Sequence, residues 1–300
     1  MKKSSFLNVI ASLMFMVALA ISPSNAHAYQ IDEINTTINT LENRPVKVRV
    51  MTPDGYEKGN KHYPVLYIND GQDVFRDEQT FRKAASLRYE DYYQHYGAFM
   101  PKVILVAIEA PNDPGLRTKE YSPYTKNFVV PAGKKFEPRI EGQGKEYLQW
   151  LTGELKPMID KKYRTMADRD NTGICGYSTG GLNSIYAALS YPKVFGRLIA
   201  MSSAVCIWMD CLQPTLDNSD YSHLKYVYMD VGTNEFGRMT TKEEFLQGAN
   251  DLYQNYLKHG VPAKAIRYNI YPNAKHNQLE WRYRFPDAIR WVFQDKAGKN

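Results

Sequence analysis

Cysteine is scarce in this chain, with only Cys175, Cys206 and Cys211 among 300 residues. Their spacing does not read as a zinc site. Cys206 and Cys211 lie close together in a loop-like stretch, where an oxidising compartment would allow them to pair; geometry decides whether they do. Cys175 reads as a free, buried, inert thiol. A dense basic tract is also missing. The net charge is +6, and it falls to +4 once Lys2 and Lys3 are set aside. A bias that mild gives no ground for a nucleic-acid partner. There is no internal repeat and no low-complexity tract. Beyond the N-terminus no apolar segment is long enough to cross a bilayer.

What is present begins with a leader-like segment. Lys2 and Lys3 precede an apolar stretch, Phe6 to Ile21, and Ala26-His27-Ala28 fits the small-residue cleavage rule. The expectation is a secretory signal over residues 1–28, a mature chain from Tyr29, and a secreted or periplasmic location with no membrane span once the signal is removed. The 43% hydrophobic content suffices for one large core, so residues 29–300 read as a single α/β domain.

From Arg44 onward, short β-type runs alternate with longer helical ones. The strand candidates are Pro45–Met51, Tyr63–Asn69, Lys102–Glu109, Asn171–Gly176, Gly196–Met201, Lys225–Val231 and Ala265–Tyr271. The helix candidates are Gly144–Lys162, kinked at Pro157, then Gly180–Tyr191, Lys242–Lys258 and Pro286–Asp295. The segment before Arg44 reads as a strand, a turn or partly disordered chain. Alternation of this kind predicts an α/β fold whose mostly parallel sheet has helices on both faces. Residues 110–142 break the rhythm with five prolines and read as a long functional loop or lid. Arg117 and Arg139 within it could grip an anion or simply be solvated. The many tyrosines, Tyr89, Tyr92, Tyr93, Tyr96, Tyr121 and Tyr124 among them, suit packing or surface positions better than an aromatic cleft.

The densest chemical signal is Gly176-Tyr177-Ser178-Thr179-Gly180, between a β-prone run and a helical one. This G-x-S-x-G pattern is that of a nucleophile elbow: the turn from strand to helix is too sharp for bulky residues at i−2 and i+2, and the serine projects from the sheet edge. The bland alternative is a glycine-rich connector around a buried serine. A serine nucleophile needs a base. Of the six histidines, His276 alone follows the serine and sits just past a strand end, in the chain order Ser, acid, His. The acid that orients the imidazole is Glu235, in the turn after Lys225–Val231, with Asp230 near the strand's end as the alternative. An oxyanion needs two N–H donors. Thr179 follows the serine, and Gln72 follows Gly71 in the exit of an early apolar strand.

Five segments together carry a resemblance: Pro64-Val-Leu-Tyr-Ile-Asn-Asp-Gly-Gln-Asp-Val-Phe75, Glu120-Tyr-Ser-Pro123, Glu154-Leu-Lys-Pro-Met-Ile-Asp160, Thr172-Gly-Ile-Cys-Gly-Tyr-Ser-Thr-Gly-Gly-Leu182 and Tyr191-Pro-Lys-Val-Phe-Gly196. Over roughly Arg44 to Phe293 the chain resembles the esterase branch of the α/β-hydrolases that includes esterase D, feruloyl esterases, enterochelin-type siderophore esterases and mycolyltransferases. The resemblance implies the α/β-hydrolase fold, Ser178 as nucleophile, His276 as base and an acid at Glu235. It also implies a small-molecule or carbohydrate-linked ester substrate, with no metal or cofactor. Thr179 stands where methionine is often seen, and Glu235 where aspartate is common. The expected activity is ester hydrolysis through an acyl-enzyme. Acyl transfer to an alcohol, or a catalytically silent ligand-binding protein on the same fold, are the rival readings.

Overall fold

In a sheet covered on both sides, every strand residue meets apolar neighbours, so central strands carry continuous apolar runs. Val65-Leu-Tyr-Ile68 and Ile104-Leu-Val-Ala-Ile108 are such runs, buried at every position. The computed structural model describes residues 29–81, 85–129, 138–237 and 239–296. The expected leader, and residues 130–137 of the expected 110–142 loop, lie outside them.

The chain opens with β1 (Gln30–Ile38) and β2 (Arg44–Thr52), a nine-residue antiparallel ribbon. Next come β3 (Val65–Ile68), α1 (Tyr89–Tyr96), β4 (Ile104–Ile108) and α2 (Pro114–Tyr121). A two-stranded ribbon, β5 (Lys126–Asn127) with β6 (Arg139–Ile140), leads to α3 (Gly144–Trp150) and α4 (Lys156–Lys162). Then follow β7 (Thr172–Tyr177), α5 (Thr179–Ser190), β8 (Arg197–Met201), α6 (Met209–Asn218) and β9 (Tyr226–Gly232). The last elements are α7 (Lys242–Lys258), β10 (Ile266–Tyr271) and α8 (Gln278–Val292). Eight strands form one sheet in the order β1-β2-β4-β3-β7-β8-β9-β10. From β4 to β10 all neighbours are parallel; β2 runs antiparallel to β4 and to β1.

Period-two alternation divides the core into two layers. Val65, Tyr67, Val106, Ile174, Leu198 and Met229 face one side, where α3 to α7 pack. Leu66, Ile68, Leu105, Cys175, Met201 and Tyr228 face the other, under α1 and α8. Of the tyrosines singled out in the sequence, Tyr89, Tyr93 and Tyr121 are buried within these layers, Tyr92 and Tyr124 are half-buried and Tyr96 is exposed.

Of the strand, turn or disordered chain expected before Arg44, the structure has the strand: β1 is held by nine paired residues of β2. Three elements depart from the sequence reading. A π-helical turn, Leu151–Leu155, separates α3 from α4 just ahead of Pro157, and a widened turn accommodates the proline's missing N–H. Part of the expected 110–142 loop is α2, which starts at Pro114 with Asp113 accepting from the Gly115 and Leu116 amides. Helix α8 begins eight residues earlier than Pro286. Asn277 caps it, and the burial of Trp281, Phe285 and Ile289 outweighs the one backbone bond that the internal proline forgoes. Cys206 and Cys211 are free thiols.

Ile174 is fully buried at the centre of β7. Ile174→Ala should lower the unfolding free energy by about 2–4 kcal/mol, measured by urea denaturation, because a cavity opens in the most confined strand.

Candidate active site

The junction of β7 and α5 is set by contact between glycine backbones. A Cβ on Gly176 would lie 2.3 Å from the carbonyl carbon and oxygen of Gly180, and one on Gly181 would lie 2.9 Å from Ser203 Cβ. Only glycine lets strand and helix meet this closely. Ser178 sits between them at φ 55°, ψ −126°, a region an L-residue enters at a cost of order 1–3 kcal/mol. Its backbone is tied down at both ends. The N–H donates to the Met201 and Ser202 carbonyls at 3.2 Å, and the C=O accepts from Ala204 at 2.9 Å and Leu182 at 3.1 Å.

His276 follows β10 and faces the same cavity as Ser178. This cavity has a volume of about 260 Å³ and is lined by Gln72, Asp73, Arg117, Tyr177, Gln278 and Trp281 among others. A larger space of about 610 Å³, beside α7 and bounded by Phe128, Cys206 and Met209, touches neither Ser178 nor His276. The imidazole is braced edge-to-face by Phe245, with ring centres 5.0 Å apart, and by Trp281 at 4.8 Å. Its Nδ1 lies 3.0 Å from Glu235 Oε2. That contact leaves Nε2 as the nitrogen available to a neighbour.

Glu235 is fully buried and held from several sides. Oε1 accepts from the Gly232 amide at 2.8 Å and from Ser202 Oγ at 2.7 Å, with Arg284 Nη1 at 3.4 Å. Gly232 must be glycine here, since a Cβ would meet the Ala274 carbonyl at 2.4 Å. Asp230 points elsewhere. Its oxygens accept from the Ser202 amide, Tyr228 OH and Arg284, and none of its hydrogen bonds reaches His276. Burial, with Glu235 as a negative neighbour, pushes its carboxyl up to about 6, although Arg284 pulls the other way. Arg284 is thus the buried cation that two buried carboxylates share, and it also lies over the Tyr271 ring. Sequence reasoning missed Arg284, Ser202 and Trp281, whose indole donates to Ser202 Oγ at 2.8 Å. No spacing rule ties them to the serine; the crossing of α8 over β8 and β9 does.

The two amides expected to hold an oxyanion are both unengaged among the described residues. Gln72 lies two residues past Asp70, which takes the left-handed conformation at φ 60°, and the Gln72 side chain accepts from the Ala110 amide at 3.1 Å. Thr179 opens α5. Of the two arginines singled out in the sequence, Arg117 donates to both oxygens of Asp70, at 2.5 and 2.7 Å. Arg139 lies exposed beside Glu141 and Asn127.

The sequence profile of the family described as "Putative esterase" matches residues 38–292. The chain belongs to this esterase family. The uncharacterized protein YbbA of Bacillus subtilis is 24% identical over 251 residues, covering 83% of this chain and 91% of that one. An endo-1,4-beta-xylanase/feruloyl esterase of Xylanibacter ruminicola is 25% identical over 237 residues, 78% of this chain but 27% of its own length. An IroE-like serine hydrolase from Shewanella oneidensis superposes with a TM-score of 0.68 at 22% identity, over 89% of this chain and 81% of that one. With the sheet order above, that likeness establishes the α/β-hydrolase fold.

Arg284→Met should cost about 3–5 kcal/mol of stability at pH 8, because two buried carboxylates lose their cation. Asp230 has a folded pKa above its unfolded value, so its contribution is fully present below about pH 4 and is lost as pH rises through about 6. Urea titrations should therefore find a smaller penalty at pH 5 than at pH 8.

Proposed function

We propose that the protein is an exported serine carboxylic-ester hydrolase that works through an acyl-enzyme. One observation carries this reading. A serine on a strained elbow and an imidazole backed by a buried glutamate open onto one cavity. Membership of an esterase family supplies the reaction class. A feruloyl esterase and an iron(III) enterobactin esterase of Dickeya dadantii among its relatives point to small ester substrates.

In this mechanism Glu235 holds the Nδ1 proton, so His276 Nε2 takes the proton from Ser178 Oγ as that oxygen attacks the ester carbonyl. The Thr179 and Gln72 amides receive the oxyanion. Donors held in place beforehand stabilise the developing charge without reorganising as it forms. As the tetrahedral intermediate collapses, the ester C–O bond breaks and His276 returns its proton to the departing alcohol. Water, deprotonated by His276, then attacks the acyl-enzyme, and the acid product leaves with Ser178 restored. Residues 29–300 form one hydrolase unit behind a cleaved leader.

Ser178→Ala should abolish fluorophosphonate labelling and lower kcat on a p-nitrophenyl ester by about 10⁴-fold or more. Glu235→Gln should lose roughly 10²–10⁴-fold, and Asp230→Asn far less, because only Glu235 orients the imidazole. Full activity in Ser178→Ala would refute the mechanism. N-terminal sequencing of the exported protein should start at Tyr29, and an intact Met1 would exclude cleavage.

A further inference from the structure

The cavity holds an ionisable group that this mechanism leaves unused. Asp73 is 8% exposed and lines the cavity with Ser178 and His276. Its Oδ2 accepts from Tyr177 OH at 2.6 Å and from Gln278 Nε2 at 3.1 Å. Its Oδ1 accepts no hydrogen bond among the described residues. A carboxylate has about four acceptor positions, so one oxygen clamps the side chain while the other stays open. Among the described residues, the charged and titratable groups around it are Asp70 from the turn after β3, Arg117 from α2 and His276 from the loop after β10; Tyr177 of β7 and Gln278 of α8 are its hydrogen-bond partners. Arg117 is committed to Asp70 through both oxygens. Among the described residues, Asp73 is therefore the uncompensated charge of the cavity, and an anion meets no free cation from them there.

We propose that Asp73 is a specificity-determining residue of this ester site: Oδ1 accepts a hydrogen bond from a hydroxyl of the substrate, and its negative charge turns away esters that carry an anionic group. The inference rests on the serine-esterase reading above. A hydroxyl donating to a carboxylate makes a charge-assisted bond, stronger than a neutral one, and repulsion between like charges is large where water is displaced. At about 260 Å³, the cavity lies near the lower end of small-molecule pockets and has room for a small substituent beside Ser178. Burial, followed by the neighbouring charge of Asp70, raises the Asp73 carboxyl to about 6. The discriminating charge is therefore present above that pH and fades below it.

The test measures kcat/KM on two matched sets of esters, one varied on each side of the bond. The acyl set is p-nitrophenyl butyrate, 3-hydroxybutyrate and 4-sulfobutyrate. The alcohol set is propyl, 3-hydroxypropyl and 3-sulfopropyl acetate. In at least one set the wild-type enzyme should favour the hydroxyl ester over the plain one, and the plain over the sulfonate, each by about tenfold. Asp73→Asn should shrink both contrasts. In the wild type, the plain-to-sulfonate ratio should fall between pH 8 and pH 5. Any loss of activity with pH that falls on both esters alike cancels in that ratio, and the sulfonate stays charged throughout. Contrasts within about threefold in both sets, or a ratio that does not change with pH, would overturn the role of Asp73. The wild-type panel decides this even if the variant fails to fold. Fluorophosphonate labelling of wild-type Ser178 is read in parallel. Labelling without discrimination removes only Asp73, whereas no labelling removes the mechanism beneath it.

Discussion

The approach of Gly176 to Gly180 is the constraint on which the rest of the site depends. A single methyl group at Gly176 would strike the helix backbone, so the strand can turn directly into α5 only because that position has no side chain. The turn forces Ser178 into a backbone region that side-chain-bearing residues avoid. Hydrogen bonds from β8 and the turn after it over-determine that conformation. The serine is presented at the carboxyl edge of a parallel sheet, where loops from β3, β9 and β10 also emerge, and such a crevice is where open α/β sheets bind ligands.

A second layer of order lies beneath the imidazole. Two carboxylates, Asp230 and Glu235, are buried within reach of one guanidinium. Buried charges persist when they are paired and hydrogen-bonded. Ser202 links the parts: its amide and hydroxyl serve the two acids, and its oxygen accepts from Trp281. The same indole flanks His276 and stacks on Tyr177 at 4.2 Å. Packing and polar contacts therefore converge on one ring, and the orientation of His276 is a property of α8 as much as of its own loop.

The fold was legible where local chemistry and tertiary demand agree. Thr241 and Glu244 form a reciprocal cap on α7, and the apolar stripe of that helix continues to Leu252 and Tyr256, so the Lys242–Lys258 reading carries over unchanged. The serine elbow was legible because the turn restricts residue type at fixed offsets. Proline misled twice. Pro114 opens a helix after Asp113 within a stretch that the sequence reads as a loop, and Pro286 lies inside a helix whose start the sequence places at that proline. In both places the cap residue lay one or more positions upstream and carried the real boundary. The partners of Glu235 could not be read from spacing, because Ser202, Trp281 and Arg284 come from separate elements joined only by the tertiary fold.

The free thiols bear on how the chain would fare in an oxidising milieu. Burial raises the Cys206 thiol to about 11, and Cys211 is raised as well. Disulfide exchange proceeds through the thiolate, which is then a trace species near neutral pH. An oxidising milieu would find little to react with, and the protein's durability there would come from its apolar layers rather than from a covalent staple.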